Sequence, residues 1–308
     1  MKKSTLHSLL LLLTAVIWGM AFVSQSKGMD YMKPLTFNGV RCLIGAVTLL
    51  LFLWVRRTVR TRNNIPAPAV NWPVTIKAGV LCGLALTTAS TLQQYGLLYT
   101  TVGKAGFITA LYIIFVPIGG IFFHKKVSGI VWSGAFLAAA GMYLLCITEG
   151  FSLATGDLLV LGCAVVFAAH IMIVDHYSPQ TDGVIVSCIQ FCISGGICTL
   201  GALIFEHPTF AQLTEGAGAL LYAGVLSCGV AYTLQIVGQK GVNPTIAALI
   251  LSLESVIATV SGWVAFKIGM LKTDQTMTAR QIMGCAMVFA AVILVQLPSD
   301  MFRKRKAK

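Results

Sequence analysis

The sequence predicts an all-α membrane protein of ten transmembrane helices in two inverted five-helix repeats, and three observations carry that prediction. Hydrophobic residues make up 57% of the 308 and charged residues only 10%, against roughly a quarter charged in soluble domains. The mean hydropathy of +0.85 is gathered into long charge-poor runs with short polar, basic or proline-containing breaks between them, the pattern of a chain whose solvent is lipid. Segments also recur: Thr91-Leu92-Gln93 returns as Thr233-Leu234-Gln235, and the run from Gly134 to Leu145 resembles that from Gly284 to Val295.

The first run, Leu9 to Val23, follows Lys2 and Lys3 in the manner of a signal peptide. No A-x-A-like cleavage site follows it and similar runs continue to the end, so it reads as a retained helix. The next four spans are Leu35 to Val55, Val74 to Leu98, Ala105 to Phe123 and Gly129 to Ile147. The second set is Leu158 to Val174, Gly183 to Phe205, Ala217 to Val237, Ile246 to Phe266 and Ile282 to Leu297. Several are shorter than the roughly 20 residues of a full crossing, so their ends must extend into flanking Ser, Thr and Gln residues.

Five crossings repeated once force the second copy to enter from the opposite face, which relates the halves by a pseudo-two-fold axis in the membrane plane. The first repeat covers residues 1–148, and the second, with a basic cytoplasmic tail, covers 149–308. With the N-terminus inside, 15 Lys and Arg residues fall inside and 6 outside, Arg41 lying within a span. That bias predicts a multi-pass protein of the cell membrane with both termini cytoplasmic. The first half fixes this orientation. The loop from Asp175 to Asp182 has no cation, and the loop from Lys267 to Arg280 carries three on the outer side.

The net charge of +12 sits in clusters between apolar runs, which reads as topology and not as a nucleic-acid surface. The nine cysteines all lie inside apolar runs without a C-x-x-C pair, so they read as small packing residues, with no metal or cofactor implied. A G-x-x-x-x-G-K-[ST] signature is absent, which argues against ATP hydrolysis by this chain. The partners expected are a small-molecule substrate and membrane lipid, and a homodimer is an open alternative to a monomer.

Ionisable groups within a bilayer are costly, by about 2.5 to 3.5 kcal/mol for Arg, Lys or Asp at a helix centre on insertion scales. Glu254 lies about ten residues into its span, roughly 15 Å deep. Helical rotation places it on a small-residue stripe with Ala247, Ala258 and Ser261, opposite Leu249, Leu253, Val256, Val260 and Trp263. Arg41 shares its face with Asn38, Gly45 and Thr48, opposite Leu43, Val47 and Leu50. Both side chains are expected to point inward, Arg41 as a carbonyl-capping residue, an anchor for an anionic group or the partner of Glu254. Glu254 itself is either a structural hydrogen-bonding group or the coupling residue. His170 reads as a buried or cavity-lining histidine, because Asp175 falls on another face of the helix and a metal site would need both. Gln93, Gln190 and Gln235 suit contacts between helices, and Gln190 is a cavity candidate because it occupies the repeat position of Arg41.

These features resemble the EamA-type transporters of the drug/metabolite transporter superfamily. The resemblance rests on Ile17-Trp18-Gly19 in the first span, Arg41 in the second, Leu253-Glu254 in the ninth and the glycine-rich last span of each half. It covers nearly the whole chain. Two positions depart from that family: Ser255 stands where Pro usually follows Leu-Glu, and Lys267-Ile268-Gly269-Met270 lacks the usual Gly-Glu turn. The resemblance implies that Trp18 lines a central cavity or packs a close helix contact. It further implies a secondary transporter, permease or exporter, moving a small metabolite, amino acid or drug-like solute by alternating access. A membrane-embedded enzyme or channel is the alternative, but the buried ionisable groups are single and scattered and do not gather as an enzyme site would.

Overall fold

The computed structural model describes residues 3–66, 69–122, 129–146, 155–276 and 278–296, and every regular element among them is helical. The expected boundary at 148, Lys125 and Lys126, and the basic tail from Arg303 lie outside the described residues. Three long helices come first: α1 (Lys3–Gly28), α2 (Pro34–Arg62) and α3 (Trp72–Gly96). The fourth span is divided into α4 (Val102–Ala110) and α5 (Tyr112–Phe122), and α6 (Gly129–Cys146) follows. After α7 (Thr155–Tyr177) and α8 (Gly183–Phe205), a short α9 (Phe210–Glu215) leads into the eighth span. That span consists of α10 (Ala217–Leu221), a π-helical stretch Tyr222–Ala231 and α11 (Tyr232–Gly238). The ninth is divided into α12 (Pro244–Leu251) and α13 (Glu254–Lys267), and α14 (Ala279–Gln296) is last.

Eight of these spans are long and apolar enough to cross a membrane, and the apolar stretches of α6 and α14 are shorter. Proline opens α2 and α12, where a missing N–H is harmless. Side chains of Thr101, Asp182 and Asn243 cap α4, α8 and α12. Lys33 gives α2 no such cap. The carboxylate of Glu206, just past the end of α8, does so instead. It accepts from the Leu35 and Thr36 amides at 2.9 and 2.7 Å and from the Thr36 hydroxyl at 2.7 Å. At the other end of the same pair, Arg56 of α2 meets Asp182, the cap of α8, at 2.8 Å. α2 and α8 therefore run antiparallel and are fastened at both ends, and they pack along each other.

The remaining contacts enclose a centre: α3 lies on α7 and α8, α1 on α13 and the eighth span, and α6 on α14. Hydroxyls lace α1 to the eighth span, Thr14 donating to the Ala231 carbonyl at 3.2 Å and Ser24 to that of Ala219 at 2.7 Å. In the other direction, Tyr222 donates to the Ile17 carbonyl at 3.1 Å.

Besides the eighth span with its π-helical stretch, two spans differ from the uninterrupted helices expected. At Leu111 and at Ser252–Leu253 the chain tightens to i→i−3 bonds: Leu111 to Ile108 at 3.2 Å, Leu253 to Ile250 at 3.2 Å and Ser255 to Ser252 at 3.1 Å. In the ninth span two hydroxyls compete for the backbone, Ser252 donating to the Leu249 carbonyl and Ser255 to that of Ser252, both at 2.7 Å. Ser255 thus accompanies a break without the proline common at that place. The bulky face expected to turn outward is also divided. Leu249 and Leu253 are buried while Val260 is exposed, because α12 is enclosed on nearly every side. On α2, Arg41 is buried and Leu43, Val47 and Leu50 are exposed.

Candidate functional site

The two helix breaks face each other. Tyr112, the first residue of α5, donates its hydroxyl to Glu254 Oε1, on the first residue of α13, at 2.9 Å, and both side chains are almost wholly buried. The separation of 142 residues between them is also the offset that carries Gln93 onto Gln235 and Thr101 onto Asn243, the caps of the two divided spans. Equivalent residues of the two halves thus touch at the centre of the molecule. Charge alone directs attention to Glu254 and not to Tyr112. The repeat offset, applied to Glu254, is the signal that finds its partner.

Beside this pair lies a cavity of about 30 Å³ lined by Trp18, Arg41, Gln93, Tyr232, Gln235 and Glu254 among others. A space of that size holds water and no metabolite. Arg41 forms no ion pair among the described residues, its Nε has no hydrogen-bond partner, and its guanidinium lies 5.5 Å from the Phe37 ring centroid. Arg41 and Glu254 therefore share a cavity without being paired, and Tyr112 takes the place expected for Arg41.

Three further polar atoms of lining residues are buried without partners among the described residues: Trp18 Nε1, Gln25 Oε1 and Gln235 Oε1. Buried polar groups are nearly always bonded, so these atoms and Arg41 Nε are available to a polar group that enters the cavity. Gln93, by contrast, donates to the Thr109 hydroxyl at 3.0 Å.

Tyr232 begins α11 directly after the π-helical stretch and is the hub of the aromatic wall. Its ring centroid lies 4.5 Å from that of Trp18, 5.4 Å from Phe191 and 6.0 Å from His170. His170 does not line the cavity. It sits behind Tyr232 with Nε2 3.1 Å from Gln190 Oε1, leaving His170 Nδ1 and Gln190 Nε2 without partners. The five residues singled out in the sequence thus form two connected groups: Trp18, Arg41 and Glu254 on the cavity, and the His170–Gln190 pair behind its aromatic wall. Among the described residues, no three His, Cys, Asp or Glu side chains are placed to hold a metal ion.

Gly19 fixes how closely α1 approaches the ninth break. A Cβ there would stand 2.7 Å from the Glu254 carbonyl oxygen and would overlap the Ile257 side chain. Ser261 reinforces the contact by donating to the Gly19 carbonyl at 3.3 Å.

Comparison with known proteins gives the arrangement its context. The chain matches the EamA-like transporter family twice, over residues 5–147 and 154–297. An uncharacterized transporter of Archaeoglobus fulgidus is 33% identical over 290 residues, covering 93% of this chain and 84% of that one. The uncharacterized transporter YwfM of Bacillus subtilis is 26% identical over 298 residues, covering 95% of this chain and 94% of its own. A solved crystal structure superposes with a TM-score of 0.72 over 99% of both chains at 16% identity, a likeness of fold. With both halves matched and the relatives aligned nearly end to end, the chain belongs to the EamA-like transporter family.

Proposed function

We propose that this membrane transporter is a secondary transporter, a permease or exporter, that carries a small metabolite, amino acid or drug-like solute through the central cavity by alternating access. The observation that carries the reading is the facing pair of helix breaks joined by Tyr112 and Glu254. Discontinuous helices at corresponding places in two halves present backbone and polar side chains to a solute at mid-membrane, where unbroken helices would present only lipid-like surface. Arg41, without a carboxylate partner, serves an anionic group of the solute. Glu254 changes protonation or partner during the cycle, and the His170–Gln190 pair joins the lining when the aromatic wall moves. A cavity too small for a metabolite supports a closed intermediate over an open pore.

The architecture proposed is two inverted repeats, 1–148 and 149–308, with α6 and α14 as the fifth and tenth crossings. Support comes from equivalent helices that pair antiparallel, α2 with α8, and from a matched pair of close approaches. Gly96 lies against Gly156 and Val160, and Gly238 lies against His7 and Leu11. Residues 7 and 11 stand in the first half as 156 and 160 do in the second. The proposed location is the cell membrane with both termini cytoplasmic, and the cations gathered at one end of α2 and α3 support it.

Purified protein in liposomes is expected to move a labelled solute saturably and with counterflow. Arg41→Ala should raise the KM for a solute with an anionic group by about tenfold or more, the scale of one charge-assisted contact. Chemical modification of lipid or peptide without solute flux would remove the transporter reading. Accessibility labelling that put the termini on opposite faces would remove the topology.

A further inference from the structure

Away from the central cavity, a second pocket of about 450 Å³ opens where the end of α2, the starts of α3 and α8 and the end of the eighth span come together. Its lining includes Arg56, Asn71, Thr75, Gln180, Asp182 and Lys240. Arg56 gives Nη1 to Asp182 at 2.8 Å, and Lys240 Nζ donates to the Thr181 carbonyl at 2.8 Å. Each cation is thereby held in position with further N–H groups to spare.

Thr75 is the informative member. Thr14, Thr48, Thr87, Thr88, Thr233 and Thr259, all within helices, donate their hydroxyls to the carbonyl four residues back. The Thr75 hydroxyl makes no such bond and has no partner among the described residues, although the residue is fully buried. An unpaired buried hydroxyl beside two oriented cations is an incomplete set of donors. The surrounding surface adds to it: Arg57, Arg62 and Lys77 are exposed on the same ends of α2 and α3. Cations clustered on the ends of membrane helices that border a pocket suit an anionic headgroup.

We infer that this pocket binds a phosphate group, supplied by an anionic phospholipid headgroup or by free phosphate, through Thr75, Arg56 and Lys240. The phosphate oxygens accept from the Thr75 hydroxyl, the spare guanidinium N–H groups and the ammonium, while Asp182 stays on Arg56. The site is independent of what the central cavity carries.

The test uses the full chain, stripped of lipid in detergent, and follows binding by native mass spectrometry and by thermal unfolding. Three probes are compared: phosphatidylglycerol, phosphatidylcholine and inorganic phosphate. Phosphatidylglycerol is expected to bind more tightly than phosphatidylcholine. Thr75→Val, which keeps the shape and removes an unpaired hydroxyl, should fold as stably as wild type without ligand. It should nonetheless lose about tenfold in affinity for whichever anionic probe binds. Lys240→Gln should lose a comparable amount and flatten the salt dependence. Binding of phosphatidylglycerol alone assigns the site to lipid, and binding of inorganic phosphate as well assigns it to the phosphate group in general. If neither anionic probe binds, or if binding is the same in Thr75→Val and Lys240→Gln as in wild type, the inference is overturned.

Discussion

The third and eighth spans occupy the same place in the two halves and differ in almost everything that matters at the centre. α3 is one regular helix, whereas the eighth span is interrupted by ten π-helical residues that end at Ala231, just before Tyr232. Both bring a glutamine to the cavity. Gln93 is satisfied by the Thr109 hydroxyl. Gln235 keeps a buried Oε1 without a partner among the described residues, and the repeat offset puts Leu251, which has no hydroxyl, where Thr109 stands. The divided fourth and ninth spans show the same contrast, one contributing a phenol and the other a carboxyl group to a single hydrogen bond. A near-symmetric scaffold thus gives one glutamine a hydroxyl partner and denies it to its counterpart, and Gln235 joins Trp18, Gln25 and Arg41 of the first half in bringing unpaired polar atoms to the cavity among the described residues.

The largest expected effect separates the two partners at the centre. Glu254→Gln keeps an acceptor for Tyr112 and should insert at wild-type levels, yet lose the pH dependence of flux and at least about tenfold of its rate, the range of one lost proton-handling group. Tyr112→Phe should retain that pH dependence with a smaller loss of rate. Flux in Glu254→Gln vesicles that still follows pH would leave Glu254 as a structural hydrogen-bonding residue and erase the functional difference between the halves.

Next comes the packing beneath the ninth break. Gly19→Val should lower stability by about 1–3 kcal/mol through overpacking against Ile257 and the Glu254 carbonyl. Thermal unfolding in detergent measures it, and an unchanged melting temperature would mean that α1 can retreat from the break.

The smallest effect sharpens the comparison most. Gln93→Leu removes a made bond to the Thr109 hydroxyl, and should cost about 1 kcal/mol. Gln235→Leu removes an unpaired atom, and should be neutral or slightly stabilising while weakening solute binding. Equal destabilisation by both would show that the two glutamines are satisfied alike in the membrane.

Much of this was legible in the sequence because lipid leaves few options. Spans could be placed from their apolar length alone, and Arg41 and Glu254 stood out because charge in such a place needs a reason. Tyr112 did not stand out, since a phenol in an apolar run carries no comparable penalty. The breaks were hidden for another reason: Leu111, Ser252 and Leu253 keep helical dihedral angles and tighten by a single bond, and no proline or glycine announces it. The capping of α2 by Glu206 joins residues about 170 positions apart, which no local pattern records. The His170–Gln190 bond is similar, since it joins side chains of two different helices, α7 and α8.

The fastening of α2 to α8 at both ends has a mechanical consequence. A beam clamped at its two tips neither tilts nor slides against its partner, so under the proposed cycle these helices form the stator and the other spans must do the rocking. Arg41 rides on the stator, whereas Glu254 rides on a jointed arm. A solute held by both would keep its anionic end still while its other end swung with the carboxyl group. Spin labels on α2 and α8 should therefore hold their distance while labels on α2 and α13 change theirs.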